Sequence, residues 1–145
     1  MIETRDKPMG RFCVTVELAN NCDRDLVRGG HLSVDQVRRA TVSGWVDTGA
    51  SRLVLPQAVV EQLGLPISSQ VTVRYADGRG GDRPLATDVH LTYAGRSGLF
   101  SAVVEPDRDT ALIGAIVLEE LDLVPDCIAQ KLVPRDPERI ISEIE

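Results

Sequence analysis

The sequence predicts an all-β fold with two short helices, and three observations support this prediction. Apolar and polar residues alternate in several segments, such as 12–18 and 85–93, and this alternation is typical of half-buried strands. Glycine-containing turns separate the segments, and Asp77-Gly78 between two alternating runs is a strong hairpin signal. Within the body of the chain, helical spacing of apolar residues covers only the short stretches 59–63 and 117–121.

Strands are predicted through most of the chain. In chain order they lie at residues 12–18, 37–46, 53–55, 71–75, 85–93, 99–104 and 127–133. Residues 19–36 are polar and include Gly29-Gly30, so a long loop or a wide hairpin connection is predicted there. Strict alternation in the strand 85–93 would place five side chains on one face: Leu85, Thr87, Val89, Leu91 and Tyr93.

The predicted domain organisation is simple. A chain of 145 residues has the usual length of one domain, so we predict a single domain over residues 1–145. Its core would span about 11–134, followed by a charged tail at 135–145. Helical spacing of three tail residues predicts that the tail either docks as a small helix or frays: Ile140, Ile141 and Ile144.

The two helical stretches resemble each other. Residues 59–65 and 117–123 have similar sequences, and each follows a glycine-containing turn after an apolar run. The residues predicted to face inward are Val59, Val60 and Leu63 in the first helix and Val117, Leu118 and Leu121 in the second. Gly64 stands where a C-terminal glycine cap belongs. The repeat predicts a pseudo-symmetric β domain with one short helix per half, although short amphipathic helices also match by chance.

Charge and hydropathy exclude several partners. A net charge of −6 repels phosphate backbones, so no nucleic-acid partner is predicted. No apolar run approaches the ~20 residues that a membrane helix needs, so no membrane partner is predicted. Residues 1–6 are charged, and no apolar segment follows them, so we expect no secretory signal and a cytoplasmic location.

The cysteines and histidines suggest neither a disulfide framework nor a metal site. Cys13, Cys22 and Cys127 are odd in number and form no CxxC pair, so we predict reduced thiols. Two of them are predicted in strands and one in a loop. With only His31 and His90 beside them, no metal and no cofactor are predicted.

Asp47 is the candidate for chemistry. It ends an apolar strand at a tight turn, Asp47-Thr48-Gly49-Ala50, where a buried carboxylate needs donors or a partner that shares a proton. Gly49 lets the backbone approach the carboxylate, and its N–H can point at it. The hydroxyl of Thr48 can bind across a two-fold axis.

This segment resembles the active-site signature of the retropepsin-like aspartic proteases, in which Asp-Thr-Gly-Ala follows a hydrophobic pair. Leu112-Ile113-Gly114 before the second helix resembles the element that supports the catalytic loop in that family. The hairpin turn Ala76-Asp77-Gly78-Arg79 lies where the family places its flap. The resemblance covers residues 45–134 and implies a closed acid-protease barrel, all-β with one or two short helices.

The resemblance also implies a mechanism. Aspartic proteolysis needs two carboxylates that share a proton, but the chain contains one Asp-Thr-Gly, so Asp47 of two copies would meet in a homodimer. The dimer would be an endopeptidase that hydrolyses peptide or protein substrates through an activated water, with no cofactor. Asp77 and Arg79 in the predicted flap turn depart from the small apolar residues expected there.

Other interpretations compete with this one. Asp47-Thr48-Gly49 alone could be an Asx turn, and Asp77-Gly78 alone could be an ordinary turn. Ser51 and His90 do not form a serine-hydrolase site, because the sequence has no Gly-x-Ser-x-Gly elbow. The main functional alternative is a non-catalytic dimeric module of the same fold that binds peptides or a partner protein. A further alternative is a processing peptidase that acts on one dedicated partner.

Overall fold

Strands dominate the computed structural model, which describes residues 11–145. The nine strands of this region are β1 (Phe12–Asn20), β2 (Arg39–Val46), β3 (Leu53–Pro56), β4 (Ile67–Arg74), β5 (Gly80–Tyr93), β6 (Arg96–Glu105), β7 (Ala111–Ile113), β8 (Leu123–Asp126) and β9 (Lys131–Pro134). Three short α-helices accompany them: α1 (Asn21–Arg28), α2 (Gln57–Leu63) and α3 (Ala115–Leu121). A 3-10 turn covers Val34–Gln36. The predicted all-β class with short helices is therefore confirmed.

Six of the strands close into a barrel. The strand order is β1-β2-β7-β3-β6-β5-β4, and an additional antiparallel pairing of β1 with β5 closes the first six strands. β4 pairs with β5 alone and forms an edge of the sheet. The strands and helices share one mostly aliphatic core, and its fully buried side chains include Leu18, Val46, Leu53, Leu55, Leu63, Val89, Leu91, Ile113, Val117 and Leu121.

The strand pairing has an internal two-fold symmetry, as the repeat of the two helices predicts. β2 pairs in parallel with β7, and β3 pairs in parallel with β6, while β3 and β7 cross antiparallel at the centre. Each half continues from its short inner strand into a helix that ends at a residue with left-handed backbone, Gly64 after α2 and Asp122 after α3. The two halves are thus built alike around one core.

The prediction of a loop over 19–36 is wrong for its first half. β1 extends to Asn20, and α1 follows at once. Asn20 caps the helix, since its Oδ1 accepts a hydrogen bond from the Asp23 N–H at 3.1 Å. The carboxylate of Asp23 in turn accepts bonds from the backbone N, Nε and Nη2 of Arg38. Polar contacts hold this helix in place, so a search for apolar periodicity misses it.

The predicted face of β5 is also wrong at its start. A bulge between Ala86 and Val89 shifts the register against β6, and Asp88 takes a positive φ of 63°. Ala86, Val89 and Leu91 are fully buried, whereas Leu85 and Thr87 are only partly buried. The bulge shifts the alternation by one residue, so Ala86 and not Leu85 faces the core before it. A prediction from strict alternation cannot include this shift.

The C-terminal region differs from the single closing strand predicted at 127–133. β8 and β9 form a separate two-stranded hairpin, and its turn is fixed by the Asp126 carboxylate, which accepts from the N–H groups of Ile128 and Ala129. The tail docks without forming a helix. Its Ile141 N–H donates to Asp122, and the Arg96 guanidinium donates to the carbonyls of Asp136 and Arg139.

The cysteine prediction is correct in part. Cys13, Cys22 and Cys127 are free thiols, but only Cys13 lies in a strand, while Cys22 lies in α1 and Cys127 in the hairpin turn. Between residues 11 and 145, no helix has the length and apolar content required to cross a membrane. The charged segment on which the prediction of no secretory signal rests, residues 1–6, lies outside the described residues.

Candidate active site

The loop from Asp47 to Arg52 connects β2 to β3 and is anchored at both ends. The Asp47 N–H donates to the Ile113 carbonyl at 3.0 Å, which continues the parallel pairing of β2 with β7. The Ala50 N–H donates to the Asp47 carbonyl at 3.1 Å and closes a tight turn. The first of these bonds comes from β7, so the barrel holds the backbone of Asp47 in place.

The Asp47 carboxylate has two neighbours that differ in kind. Its Oδ1 accepts a hydrogen bond from the Gly49 N–H at 3.0 Å, as the sequence predicts. A Cβ added to Gly49 would lie 3.3 Å from the same oxygen, so glycine keeps this approach open. Oδ2 lies 3.9 Å from Nε of Arg11, and the Asp47 side chain is 30% exposed. The exposed Thr48 adjoins it on the surface.

Arg11 is a neighbour that the sequence analysis missed. Its guanidinium stacks over the Trp45 ring, 5.2 Å from the centroid, and its Nε is buried without a hydrogen-bond partner among the described residues. Arg11, directly before β1, thus places a positive charge beside the Asp47 carboxylate. A lone arginine before a strand carries no signal that could have revealed this contact.

Gly114 lies directly behind the active-site loop, as the predicted supporting element requires. A Cβ at this position would collide with the Arg52 carbonyl and would lie 2.8 Å from the Arg52 nitrogen and 2.9 Å from the Ala50 carbonyl oxygen. The first two N–H groups of α3 donate to the loop: Ala115 to the Ala50 carbonyl at 2.8 Å and Ile116 to the Ser51 carbonyl at 3.0 Å. Leu112 and Ile113 precede Gly114 in β7, so the structure brings the predicted support and the loop together.

The predicted flap turn forms between β4 and β5. The Tyr75 N–H donates to the Arg79 carbonyl at 2.7 Å, the Gly78 N–H donates to the Tyr75 carbonyl at 2.9 Å, and Gly78 takes a positive φ of 88°. Asp77 and Arg79 pair with each other at 2.7 Å, which makes the tip locally neutral. All four residues Ala76–Arg79 are exposed.

A cleft of about 680 Å³ separates the active-site loop from β4. Its lining residues are Gly49, Ala50, Ser51, Arg52, Val54, Val71, Thr72, Val73, Arg74, Tyr75, Val103, Glu105, Arg108 and Leu112. The loop and Leu112 thus share one cavity with the arm of the hairpin. The tip Ala76–Arg79 does not line it, so the structure does not bring the predicted flap residues against Asp47.

The family of the chain follows from a comparison with known protein families. The model of the gag-polyprotein putative aspartyl protease family matches residues 35–120, which is more than half of the chain. The chain belongs to this family. The match includes the Asp47 loop, the hairpin and Gly114, and it confirms the resemblance that the motifs indicate. A search of curated proteins finds no match.

The internal two-fold symmetry of the barrel makes Glu105 the counterpart of Asp47. The symmetry relates β2 to β6 and β7 to β3. Val46 of β2 pairs with Ile113 of β7, and Val104 of β6 pairs with Leu55 of β3, so Val46 and Val104 are equivalent positions. The next residues along the chain are Asp47 and Glu105. The sequence contains a signal for this equivalence, since an apolar pair precedes an acid in both places.

Glu105 is already bound within the chain. Its Oε2 accepts from the Tyr75 hydroxyl at 2.7 Å, and its Oε1 accepts from Arg83 Nε at 3.0 Å. The hydrogen bond to Glu105, together with burial, raises the pKa of the Tyr75 hydroxyl above its ordinary value. The Arg83 guanidinium also lies 5.8 Å from the centre of the Tyr75 ring. The cluster ties β6 to both strands of the flap hairpin.

The remaining titratable groups offer no competing centre in the part of the chain that the structure describes. No group of three or more His, Cys, Asp or Glu residues there could hold a metal ion. Burial, with smaller effects of Arg24 and Arg39, lowers the pKa of His90 on β5 and so favours its neutral imidazole form. Asp47 therefore stays the candidate carboxylate of this site.

Proposed function

We propose that this chain is an aspartic endopeptidase that works as a homodimer, with one Asp47 from each copy forming the catalytic pair. The observation that carries the proposal is the Asp47 carboxylate itself, which is 30% exposed and accepts a hydrogen bond from the Gly49 N–H, in the loop whose residues 49–52 line the cleft. Membership in the aspartyl protease family supports the same reaction.

The need for a second copy follows from the count of carboxylates at the site. An aspartic protease shares one proton between two carboxyl groups, because two like charges at about 3 Å do not both ionise. Within this chain the symmetry-related acid, Glu105, is bound by Tyr75 and Arg83 and does not supply the second carboxyl. A two-fold axis beside Asp47 supplies it from an identical chain.

In the proposed mechanism the two Asp47 side chains have different protonation states. The ionised carboxylate takes a proton from a water held between them, and the water oxygen attacks the carbonyl carbon of the scissile peptide. The protonated carboxyl donates a hydrogen bond to the carbonyl oxygen as negative charge develops there. The tetrahedral intermediate collapses when a proton passes to the leaving nitrogen, and the C–N bond breaks.

The substrate in this proposal is an extended peptide. β4 is an edge strand, and its residues 71–74 line the cleft together with the following Tyr75, so its free backbone groups are available to pair with a bound segment. The flap tip Ala76–Arg79 lies just beyond and would close over the peptide, with Gly78 providing the turn. Apolar lining residues such as Val54 and Leu112 would receive side chains next to the scissile bond.

The first prediction tests the catalytic residue. We expect Asp47→Asn to abolish cleavage of a diverse peptide library between pH 3 and 8, with a loss of about a thousandfold or more in kcat/KM. Asp35→Asn, which changes an exposed carboxylate outside the cleft, is the matched control and should retain activity. Cleavage that persists in purified Asp47→Asn protein would rule out the proposed chemistry.

A non-catalytic peptide-binding module is the second candidate function, and the edge strand β4 beside an open cleft favours it, since backbone pairing needs no reaction. The same library distinguishes the two. A folded dimer that binds peptides but cleaves none at any pH would support the binding module.

A further inference from the structure

We infer that the cleft selects peptides with acidic side chains, which it recognises through Arg52, Arg74 and Arg108. This inference rests on the proposed function, because it takes the cleft to be the peptide site. It goes beyond that function by naming a chemical class of substrate.

The three arginines reach the cleft from three different elements. Arg52 ends the active-site loop, Arg74 ends β4, and Arg108 lies in the loop between β6 and β7. Arg52 and Arg74 are exposed, and Arg108 is half-buried with its Nε donating to the Thr110 carbonyl at 2.9 Å. The cations therefore surround the cavity, and Arg108 is fixed in place by its backbone contact.

The positive charge of these residues is not neutralised inside the described chain. The ion pairs of residues 11–145 involve other arginines, and none joins Arg52, Arg74 or Arg108 to a carboxylate within 4.0 Å. The lining contains one carboxylate, Glu105, and Arg83 already pairs with it at 3.0 Å. The cleft thus carries excess positive charge.

This local charge contrasts with the molecule as a whole. The chain has a net charge of −6, so a cluster of cations in this cleft is opposite in sign to the average charge of the molecule. The flap tip adds no charge, because Asp77 and Arg79 pair with each other. Asp107 and Asp109 share a loop with Arg108 but are exposed and lie outside the lining.

Arginine is well suited to this recognition. A guanidinium binds a carboxylate through two parallel hydrogen bonds, and charge-assisted bonds of this kind are stronger than neutral ones. Between the arginines the walls are apolar, with Val54, Val71, Val103 and Leu112. The lining fits a peptide in which an apolar residue stands next to Glu or Asp.

Binding can be measured without catalysis. We would prepare two pools of fluorescent octapeptides, each randomised over Val, Leu, Ala and Phe, with Glu added in one pool and Gln in the other. Fluorescence anisotropy with the Asp47→Asn protein should show the Glu pool binding roughly tenfold tighter. Equal affinity for the two pools, or binding to neither, would overturn the inference.

Variants then assign the preference to residues. Arg52→Gln, Arg74→Gln and Arg108→Gln, each in the Asp47→Asn background, should lower the Glu-to-Gln affinity ratio while affinity for the Gln pool is retained. The triple variant should bring the ratio close to one. Arg28→Gln, on the exposed face of α1, is the matched control and should leave the ratio unchanged. A ratio that persists in the triple variant would show that other residues cause it.

Failure of this inference is distinct from failure of the proposed function. Wild-type protein that cleaves both pools equally, through Asp47, would keep the protease and refute the acidic preference. Protein that cleaves neither pool but binds the Glu pool selectively would keep the preference and refute the protease.

Discussion

At the residue scale, the site depends on a few positions where backbone and side chain meet closely. Asp47 is the residue that a sequence motif can identify, because a carboxylate at the end of an apolar strand is costly to bury without hydrogen-bond donors or a partner. Its hydrogen bond to Gly49 follows from the same motif. The contact of Arg11 with Asp47 does not, since it depends on how the start of β1 lies over Trp45.

Gly114 offers the second prediction. In Gly114→Ala the new methyl group would collide with the backbone of Arg52 and Ala50, so the active-site loop must move away from α3. We expect a loss of about 1–3 kcal/mol in the free energy of unfolding, as for other overpacked sites, and a larger proportional loss of peptidase activity. Urea denaturation and kcat/KM on one peptide measure both effects.

Gly29→Ala is the matched control for that variant. The Cβ added there would meet mainly the flexible side chain of His31, at 3.1 Å, far from the loop in sequence. Its stability and activity should stay close to those of the wild type. Full activity in Gly114→Ala would show that the loop tolerates displacement and that Gly114 does not position Asp47.

At the scale of elements, the sequence predicts well where apolar alternation dominates and poorly where polar contacts decide. β1, β3, α2 and α3 follow from hydropathy, because each presents an apolar face to one core. α1 was missed because its buried residues are polar, Asn21 and Asp23. The bulge in β5 and the hairpin β8–β9 were missed because both depend on local backbone geometry.

The attachment of α1 gives the third prediction, which concerns pH. Hydrogen bonds from Arg38 lower the pKa of Asp23, so the ionised carboxylate stabilises the folded state above the ordinary pKa of about 4. This contribution is lost as the pH falls through the lowered pKa. We expect Asp23→Asn to reduce the free energy of unfolding by about 1–3 kcal/mol at pH 7.

The measurement is urea denaturation of wild type and variant at pH 7 and at successively lower pH. The difference between them should shrink as acid protonates Asp23 in the wild type. Asp25→Asn, which changes an exposed carboxylate on the same helix, should have an effect of only a few tenths of a kcal/mol. A difference that stays constant with pH would mean that the ionised Asp23 carboxylate and its bonds to Arg38 do not cause the loss of stability in the variant.

At the scale of the whole molecule, the barrel is a two-fold repeat, and the acids at the equivalent positions of its two halves have different surroundings. Asp47 is partly exposed, whereas its internal counterpart Glu105 ties β6 to the flap hairpin through Tyr75 and Arg83. The two halves therefore share one pattern of strand pairing but differ in the contacts that their equivalent acids make. The similar helix sequences predicted the repeat, but they did not predict that Glu105 is bound by Tyr75 and Arg83.

The fourth prediction tests whether the catalytic pair is shared between two copies. Wild-type and Asp47→Asn chains would be mixed, unfolded together and refolded at constant total concentration. If both carboxyls are required, only dimers with two wild-type chains are active, so activity should fall as the square of the wild-type fraction. A half-and-half mixture should then keep about one quarter of the full activity.

A linear dependence on the wild-type fraction would mean that one Asp47 per active unit suffices. Mixing wild type with Asp35→Asn in the same way controls for refolding yield and should leave the activity constant. Sedimentation equilibrium on each mixture shows whether dimers form in all samples, which separates loss of chemistry from loss of assembly. A quadratic dependence would thus show that the active unit needs Asp47 from two chains, because chains that were each active alone would give a linear dependence.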